Sequence, residues 1–243
     1  MRLTVLGING PYPGADGACS LYLLEADGQR LLLDAGSGAL ARLQRHVPLT
    51  ALDAVLLSHL HFDHIGDMLV LRYALNAAAA GQADAKKLPV YAPASPAEMR
   101  ALVSGGLFDD RDIDDGVQTA FGALSVSFTR VAHPMPSYAM RFCLGDAVFC
   151  YSGDTTPCDG LLRAARSADV LLCDAAFLHD ALTPTSPHCS ARQAAEAAAE
   201  AGVKRLILTH VAPNAPLSAL LAEARDVFPQ AEMAAPGAVY DIA

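Results

Sequence analysis

Lysine and arginine are scarce in this chain, 17 residues against 26 aspartates and glutamates, for a formal net charge of −9 over 243 residues. A protein whose main partner is a nucleic-acid backbone needs clustered Lys and Arg to meet phosphates, so a nucleic-acid partner is not expected. A small anionic substrate stays open, because bound metal ions supply positive charge that a side-chain count omits. No run approaches the roughly 18 uninterrupted apolar residues of a membrane-spanning helix. The opening "MRLTVLGING" is too short in its apolar run, and lacks the cleavage-site pattern, to read as a signal peptide. The six cysteines form no CxxC pair, and Cys143, Cys150 and Cys173 fall in apolar strand-like runs, where a buried free thiol is the plain expectation. No Pro- or Ser-rich linker divides the chain. These absences point to a soluble, reduced, cytoplasmic protein with one compact domain over residues 1–243.

What is present is an alternation of strand and helix patterns. "RLTVLG", "CSLYLLEA" and "QRLLLDAG" read as strands, the last two joined by a tight turn at Asp27-Gly28. A helix is expected around "GALARLQRHV", then the strand "AVLLSH" and a helical run from Ile65 to Asn76. "LPVYAP" is a further strand, with Ser95 and Glu98 reading as a capping box after it. Strands return from about Phe121, and Ser190 with Gln193 forms a second capping box before "ARQAAEAAAEA". "RLILTH", a helix at "LSALLAEARDVF" and a strand near "AVYDI" complete the chain. Strands and helices mix in both halves, which suits two similar α/β layers.

One stretch stands apart. "LLSHLHFDHIGD" sets His59, His61, Asp63 and His64 at the end of an apolar strand. Residues 59 and 61 alternate on extended backbone and face the same way, while Asp63 and His64 enter a turn and can address the same cavity from another side. That spacing suits two adjacent metal ions better than one. A closed structural zinc site needs only four ligands and usually uses cysteine, and none is near. Further ligand-type residues follow other apolar runs: His133 after "LSVSFTRVA", Asp154 after "AVFCYSG" and His210 after "RLILT".

With those residues in view, the sequence resembles the metallo-β-lactamase superfamily. "HLHFDH" matches its HxHxDH signature, and "AHP", "SGDT" and "LTH" follow in the expected order across nearly the whole chain. The resemblance implies a four-layer αββα sandwich, two mixed sheets flanked by helices, with a dinuclear centre at one edge. It implies that His59, His61 and His133 hold one divalent metal ion, that Asp63, His64 and His210 hold the second, and that Asp154 bridges them. Asp34 in "LLLDAG" matches a recurrent aspartate that orients the ligand loop. Zinc is the expected metal, although manganese or iron would suit the same donors. True β-lactamases of this fold carry cysteine where Asp154 stands, and diiron members tend to carry Glu at the place of His61. Both departures favour a hydrolase.

Two more stretches resemble the ribonuclease Z group: "CDAAF" at 173–177 and "HCS" at 188–190. By that resemblance His188 is the general acid and Asp174 its orienting partner, and with Asp63 they make the catalytic set. A helix N-terminus disfavours a protonated imidazole, so Asp174 would have to offset that. The long tRNA-clamping arm of that group has no room between His133 and Asp154, and the chain is more similar to small bacterial members related to cyclic-nucleotide phosphodiesterases. The expectation is a phosphodiesterase that uses a bridging hydroxide on a small substrate. The alternatives are a carboxyl-ester, lactone or thioester hydrolase and, less favoured, a ribonuclease Z-type RNA endonuclease or a non-catalytic metal-binding protein. Phe62, Tyr22 and Met135 are candidates for pocket wall or, equally, for ordinary packing, and a homodimer follows by family association alone.

Overall fold

The computed structural model describes residues 1–82 and 85–243, so the middle of the alanine-rich patch "NAAAAGQADAKK" lies outside the described residues. The first half forms β1 (Arg2–Gly7), β2 (Leu21–Ala26), β3 (Gln29–Leu33), α1 (Leu40–Leu43), β4 (Ala54–Leu56), α2 (Phe62–Ala78), β5 (Leu88–Pro93), α3 (Ala97–Leu102) and β6 (Phe108–Ile113). The second half forms β7 (Gln118–Phe121), β8 (Leu124–Val131), β9 (Ser137–Leu144), β10 (Ala147–Tyr151), α4 (Asp159–Ala165), β11 (Val170–Asp174), α5 (Ala191–Glu200), β12 (Arg205–Thr209), α6 (Leu217–Arg225), β13 (Glu232–Met233) and β14 (Val239–Asp241). Among the described residues no helix is long and apolar enough to cross a membrane.

The strands make two seven-stranded mixed sheets, ordered β14-β1-β2-β3-β4-β5-β6 and β13-β12-β11-β10-β9-β8-β7. Each sheet repeats one plan. Four strands pair antiparallel, and three more continue in parallel from the fourth, β3 in one sheet and β10 in the other. Parallel neighbours need crossovers, and helices supply most of them, so each sheet has helices on its outer face.

Period-two alternation explains why β2 and β3 read as unbroken apolar runs. Leu21, Leu23 and Leu32 pack outward with Leu43, Met68 and Leu71, whereas Tyr22, Leu24, Leu31 and Leu33 pack inward with Phe128, Met140 and Phe142 of the opposite sheet. A strand buried on both faces has no polar side to show. Hairpin β2–β3 turns at Asp27-Gly28 with Ala26 opposite Gln29, as the sequence predicts. The Ser190–Gln193 capping box is also present, with Gln193 N donating to Ser190 Oγ at 3.1 Å and Ser190 N to Gln193 Oε1 at 3.0 Å.

Other local expectations need correction. The helix at "GALARLQRHV" is a single turn, α1, and α2 begins at Phe62 rather than Ile65. Pro96, not Ser95, takes the N-cap place of α3, and no side chain caps that end. The strand β6, "FDDRDI", was not foreseen. Only Phe108 and Ile113 at its ends are buried, so this edge strand turns charged residues to water and carries no alternating signal.

Candidate metal centre

The residues expected to ligate metal gather at or beyond the ends of strands, and most of those strands belong to the parallel part of a sheet. His59 and His61 follow β4, and Asp63 and His64 lie in the first turn of α2. Asp154 follows β10, Asp174 ends β11, His210 follows β12, and His133 follows the antiparallel β8. The carboxyl ends of parallel strands are where α/β layers open a crevice. Gly153 adopts φ +59° and turns the chain so that Asp154 faces the crevice. Asp34 (φ +54°) and His210 (φ +58°) hold the same left-handed conformation without being glycine, a cost of about 1–3 kcal/mol each that tends to be kept where geometry matters.

The structure brings these residues into two groups that share Asp154. In one, ligand atoms of His59, His61, His133 and Asp154 all lie within 4.8 Å of one another; in the other, those of Asp63, His64, Asp154 and His210 do. His59 Nε2 and His133 Nε2 stand 3.0 and 3.1 Å from His61 Nδ1, so three ring nitrogens converge on one point. The Asp154 carboxylate reaches His59 Nε2 at 3.5 Å, His64 Nε2 at 3.3 Å and His210 Nδ1 at 3.2 Å.

Partners on the far side of the rings settle which nitrogen carries the proton. His133 Nδ1 is 3.1 Å from the Pro187 carbonyl, which can only accept, so Nδ1 bears the hydrogen and Nε2 turns its lone pair inward. His64 Nδ1 donates to Asp34 Oδ2 at 2.7 Å, which frees Nε2 in the same way. Ser58 Oγ gives its only proton to Asp34 Oδ2 at 2.9 Å, so the same hydroxyl accepts from His59 Nδ1 at 3.0 Å. One buried aspartate thus orients one histidine directly and another through a serine, the kind of outer support that metal ligands need.

The donor set fits divalent cations. Among the described residues His64 Nε2 and Asp154 Oδ1 are buried with no hydrogen-bond partner, a costly arrangement unless a cation takes their lone pairs. Burial pushes His59, His61, His133 and His210 below the usual histidine value, the last two to about 4, so these rings are neutral and able to ligate. Burial would do the same to His64, but Asp154 and Asp34 outweigh it and hold its pKa well above normal. Burial raises Asp154, and His210, His64 and His59 outweigh that, so the shared carboxylate stays ionised. Two carboxylates, Asp154 and Asp34, thus face the His64 ring and favour positive charge there.

Beside this centre His188 Nδ1 donates to Asp174 Oδ2 at 2.8 Å and lies 3.8 Å from Asp154 Oδ2. Its ring stacks on His210 at 4.9 Å between centroids and meets Phe177 at 6.0 Å. Burial lowers its pKa and would be joined by the nearby start of α5, yet Asp174 outweighs both and lifts His188 to about 9. Burial raises Asp174 to about 6, still below its partner, so the shared proton rests on His188. Asp174 is held by Thr155 N, which donates to Oδ2 at 3.1 Å.

Sequence reading missed the supporting residues Ser20, Ser58 and Tyr151, whose types carry no signal away from their partners. Tyr22 is not pocket wall: it is fully buried, its hydroxyl 2.7 Å from Thr209 Oγ1. Met135 is half-buried against the outer core, and Phe62 is exposed.

A model described as the beta-lactamase superfamily domain matches residues 29–211. An uncharacterised protein of Mycobacterium leprae is 40% identical over 94% of this chain and 84% of its own length. YhfI of Bacillus subtilis, named a probable metallo-hydrolase, is 32% identical with 94% of both chains covered, and its crystal structure superposes with a TM-score of 0.93 over 98% of each chain at 30% identity. A ribonuclease Z of Mycolicibacterium gilvum is 32% identical over 88% of this chain and 85% of its own. With the αββα layers and the shared-aspartate site already in place, these likenesses put the chain in the metallo-β-lactamase superfamily, among the metallo-hydrolases related to ribonuclease Z.

Proposed function

We propose that this metallo-hydrolase is a phosphodiesterase for a small substrate, of the size of a cyclic nucleotide. The observation that carries the reading is the His188–Asp174 pair, a proton-holding group set against the shared Asp154. Hydrolysis of a phosphodiester expels an alkoxide, a poor leaving group that needs a proton, and a positioned acid contributes about 10²–10⁴-fold. An ester or lactone hydrolase would not need that acid in the same way.

Divalent cations held by His59, His61, His133, Asp63, His64, His210 and Asp154 would supply Lewis acidity and lower the pKa of water at the site. The remaining work falls to the chain. Asp174 fixes the His188 ring through Nδ1, leaving Nε2–H to protonate the leaving oxygen. Asp63 and Asp154 set the negative charge that keeps cations in place, and Asp34 holds the rings of His59 and His64. His188 gives up its proton more readily with cations nearby, since like charge lowers a histidine pKa.

The compact middle supports a small substrate. Between His133 and Asp154 the chain makes only the β9–β10 hairpin, Leu144 pairing with Ala147. With a net charge of −9, a small ester fits better than a nucleic acid. Cyclic AMP hydrolysis by zinc- or manganese-loaded protein tests the reading. It fails if wild type leaves cyclic AMP intact while cleaving lactones or thioesters, or if His188→Ala cleaves cyclic AMP at the wild-type rate.

The expected partner copy finds support on α2. Its inner face buries Ile65, Met68, Leu71 and Leu75, yet its outward face exposes Phe62, Leu69, Val70 and Tyr73, the last at 76%. None of the exposed residues of α2 is charged, whereas α5 shows water Arg192, Glu196 and Glu200. A helix apolar on both faces belongs under cover. In a chain of net charge −9, a second copy on this stripe brings neutral surface onto neutral surface.

A further inference from the structure

The ligand groups differ in how their histidines are held. His59, His64 and His133 each lean on Asp34, directly or through Ser58, or on a carbonyl. His210 does not. Its Nδ1 lies 3.3 Å from Ser20 Oγ, a hydroxyl shared with Tyr22, and its backbone is left-handed. The segment Ile8–Gly10, between β1 and β2, supplies what is missing.

Val211, the next residue after His210, is tied to that segment on both sides of its backbone. Val211 N donates to the Ile8 carbonyl at 2.9 Å, and Gly10 N donates to the Val211 carbonyl at 3.1 Å. Asn9 Nδ2 donates to the same carbonyl at 3.2 Å, while Asn9 Oδ1 accepts from Gly14 N at 3.3 Å and so fixes the loop that follows. The imidazole of His210 then rests on the bare Cα of Gly10. A Cβ at that position would stand 2.1 Å from His210 Nε2 and 2.2 Å from Cε1, closer than any real contact, and the buried ring could yield only by leaving its place.

We infer that Asn9 and Gly10 are positioning residues for the second metal position: Asn9 clamps the backbone beside His210, and the absent side chain of Gly10 is the seat of its ring. The inference rests on the reading of Asp63, His64, Asp154 and His210 as a ligand group. It assigns the N-terminal loop a part in metal binding although it carries no ligand itself, and it makes the second position the one the loop controls.

Metal stoichiometry and affinity, measured by equilibrium dialysis against zinc and by the absorption of cobalt-loaded protein, test it. Gly10→Ala should keep the first ion at wild-type affinity and bind the second about ten- to a hundredfold more weakly, the size of effect seen when a ligand loses its support. Asn9→Ala, which removes two hydrogen bonds and adds no bulk, should weaken the second ion in the same direction by less, and it serves if Gly10→Ala does not fold. Ala15→Ser, an exposed change in the same loop, should leave both ions alone. In a His210→Ala background Gly10→Ala should cost nothing further, because residues acting through one group do not add. Two ions at wild-type affinity in Gly10→Ala, or an equal loss with and without His210, would overturn the inference. A wild-type chain that takes up one ion only would instead overturn the two-position reading beneath it.

Discussion

The Tyr151 hydroxyl donates to Asp34 Oδ2 at 2.6 Å, reaching from the end of β10 in one sheet to the end of β3 in the other. The same carboxylate accepts from Ser58 N at 2.7 Å and Ser58 Oγ at 2.9 Å, and from His64 Nδ1 at 2.7 Å. Packing between the sheets and the aim of two histidines therefore meet at one fully buried group.

Asp34→Ala should weaken metal binding about ten- to a hundredfold, since it frees His64 and His59 together. It also takes the acceptor from four buried donors, Tyr151 Oη, Ser58 N, Ser58 Oγ and His64 Nδ1, at about 1–3 kcal/mol for each left unpaired, so the metal-free protein should unfold at lower denaturant. Tyr151→Phe removes one charge-assisted bond and should cost about 1.5–3 kcal/mol with a smaller effect on metal. Dialysis and denaturant titration of the two variants would show this, and wild-type metal affinity in Asp34→Ala would refute it.

The parts of this arrangement that the sequence exposes are those with a chemical or periodic mark. His59, His61, Asp63 and His64 are crowded into one strand end, and Asp154, His133 and His210 follow apolar runs, so strand periodicity and ligand type found them together. Short apolar runs bounded by glycine turns also mark β1, β2 and β3, and the Ser190–Gln193 spacing marks the capping box. Ser58, Tyr151, Asn9 and Gly10 are ordinary residue types whose roles arise from contacts between segments far apart in the chain, which no local pattern records. For Tyr22 the sequence leaves pocket wall and ordinary packing open, and the structure decides for packing: an aromatic beside a site can face the opposite sheet as easily as the cleft. The strand β6 was lost because an edge needs few apolar residues.

A pH dependence follows from His188. Asp174 holds its pKa above the ordinary histidine value, to about 9 in the metal-free chain. A general acid acts only while protonated, so its share of the rate is present below that value and lost as pH rises through it; bound cations move the loss toward lower pH. His188→Ala should abolish this alkaline fall and slow cyclic AMP hydrolysis about 10²–10⁴-fold. Bis-p-nitrophenyl phosphate, whose leaving group needs no proton, should suffer less. Equal losses on both substrates, or an unchanged alkaline limb, would remove His188 from the acid role.

Self-association should depend on α2. Leu69→Glu with Tyr73→Glu places charge on the exposed apolar stripe and should turn a dimer into monomers in sedimentation velocity, with metal content unchanged because neither side chain belongs to the ligand groups. A wild-type chain that sediments as a monomer at all concentrations would dispose of the dimer.

The most direct test of the account is to count the ions and follow the chemistry in the same samples, wild type beside Asp154→Ala. Asp154 is the one residue common to both ligand groups, so its loss should reach both positions. Two zinc or manganese ions per chain with cyclic AMP turnover in wild type, and loss of tight binding and turnover together in Asp154→Ala, is the predicted result. Full metal content and undiminished turnover in Asp154→Ala would contradict it.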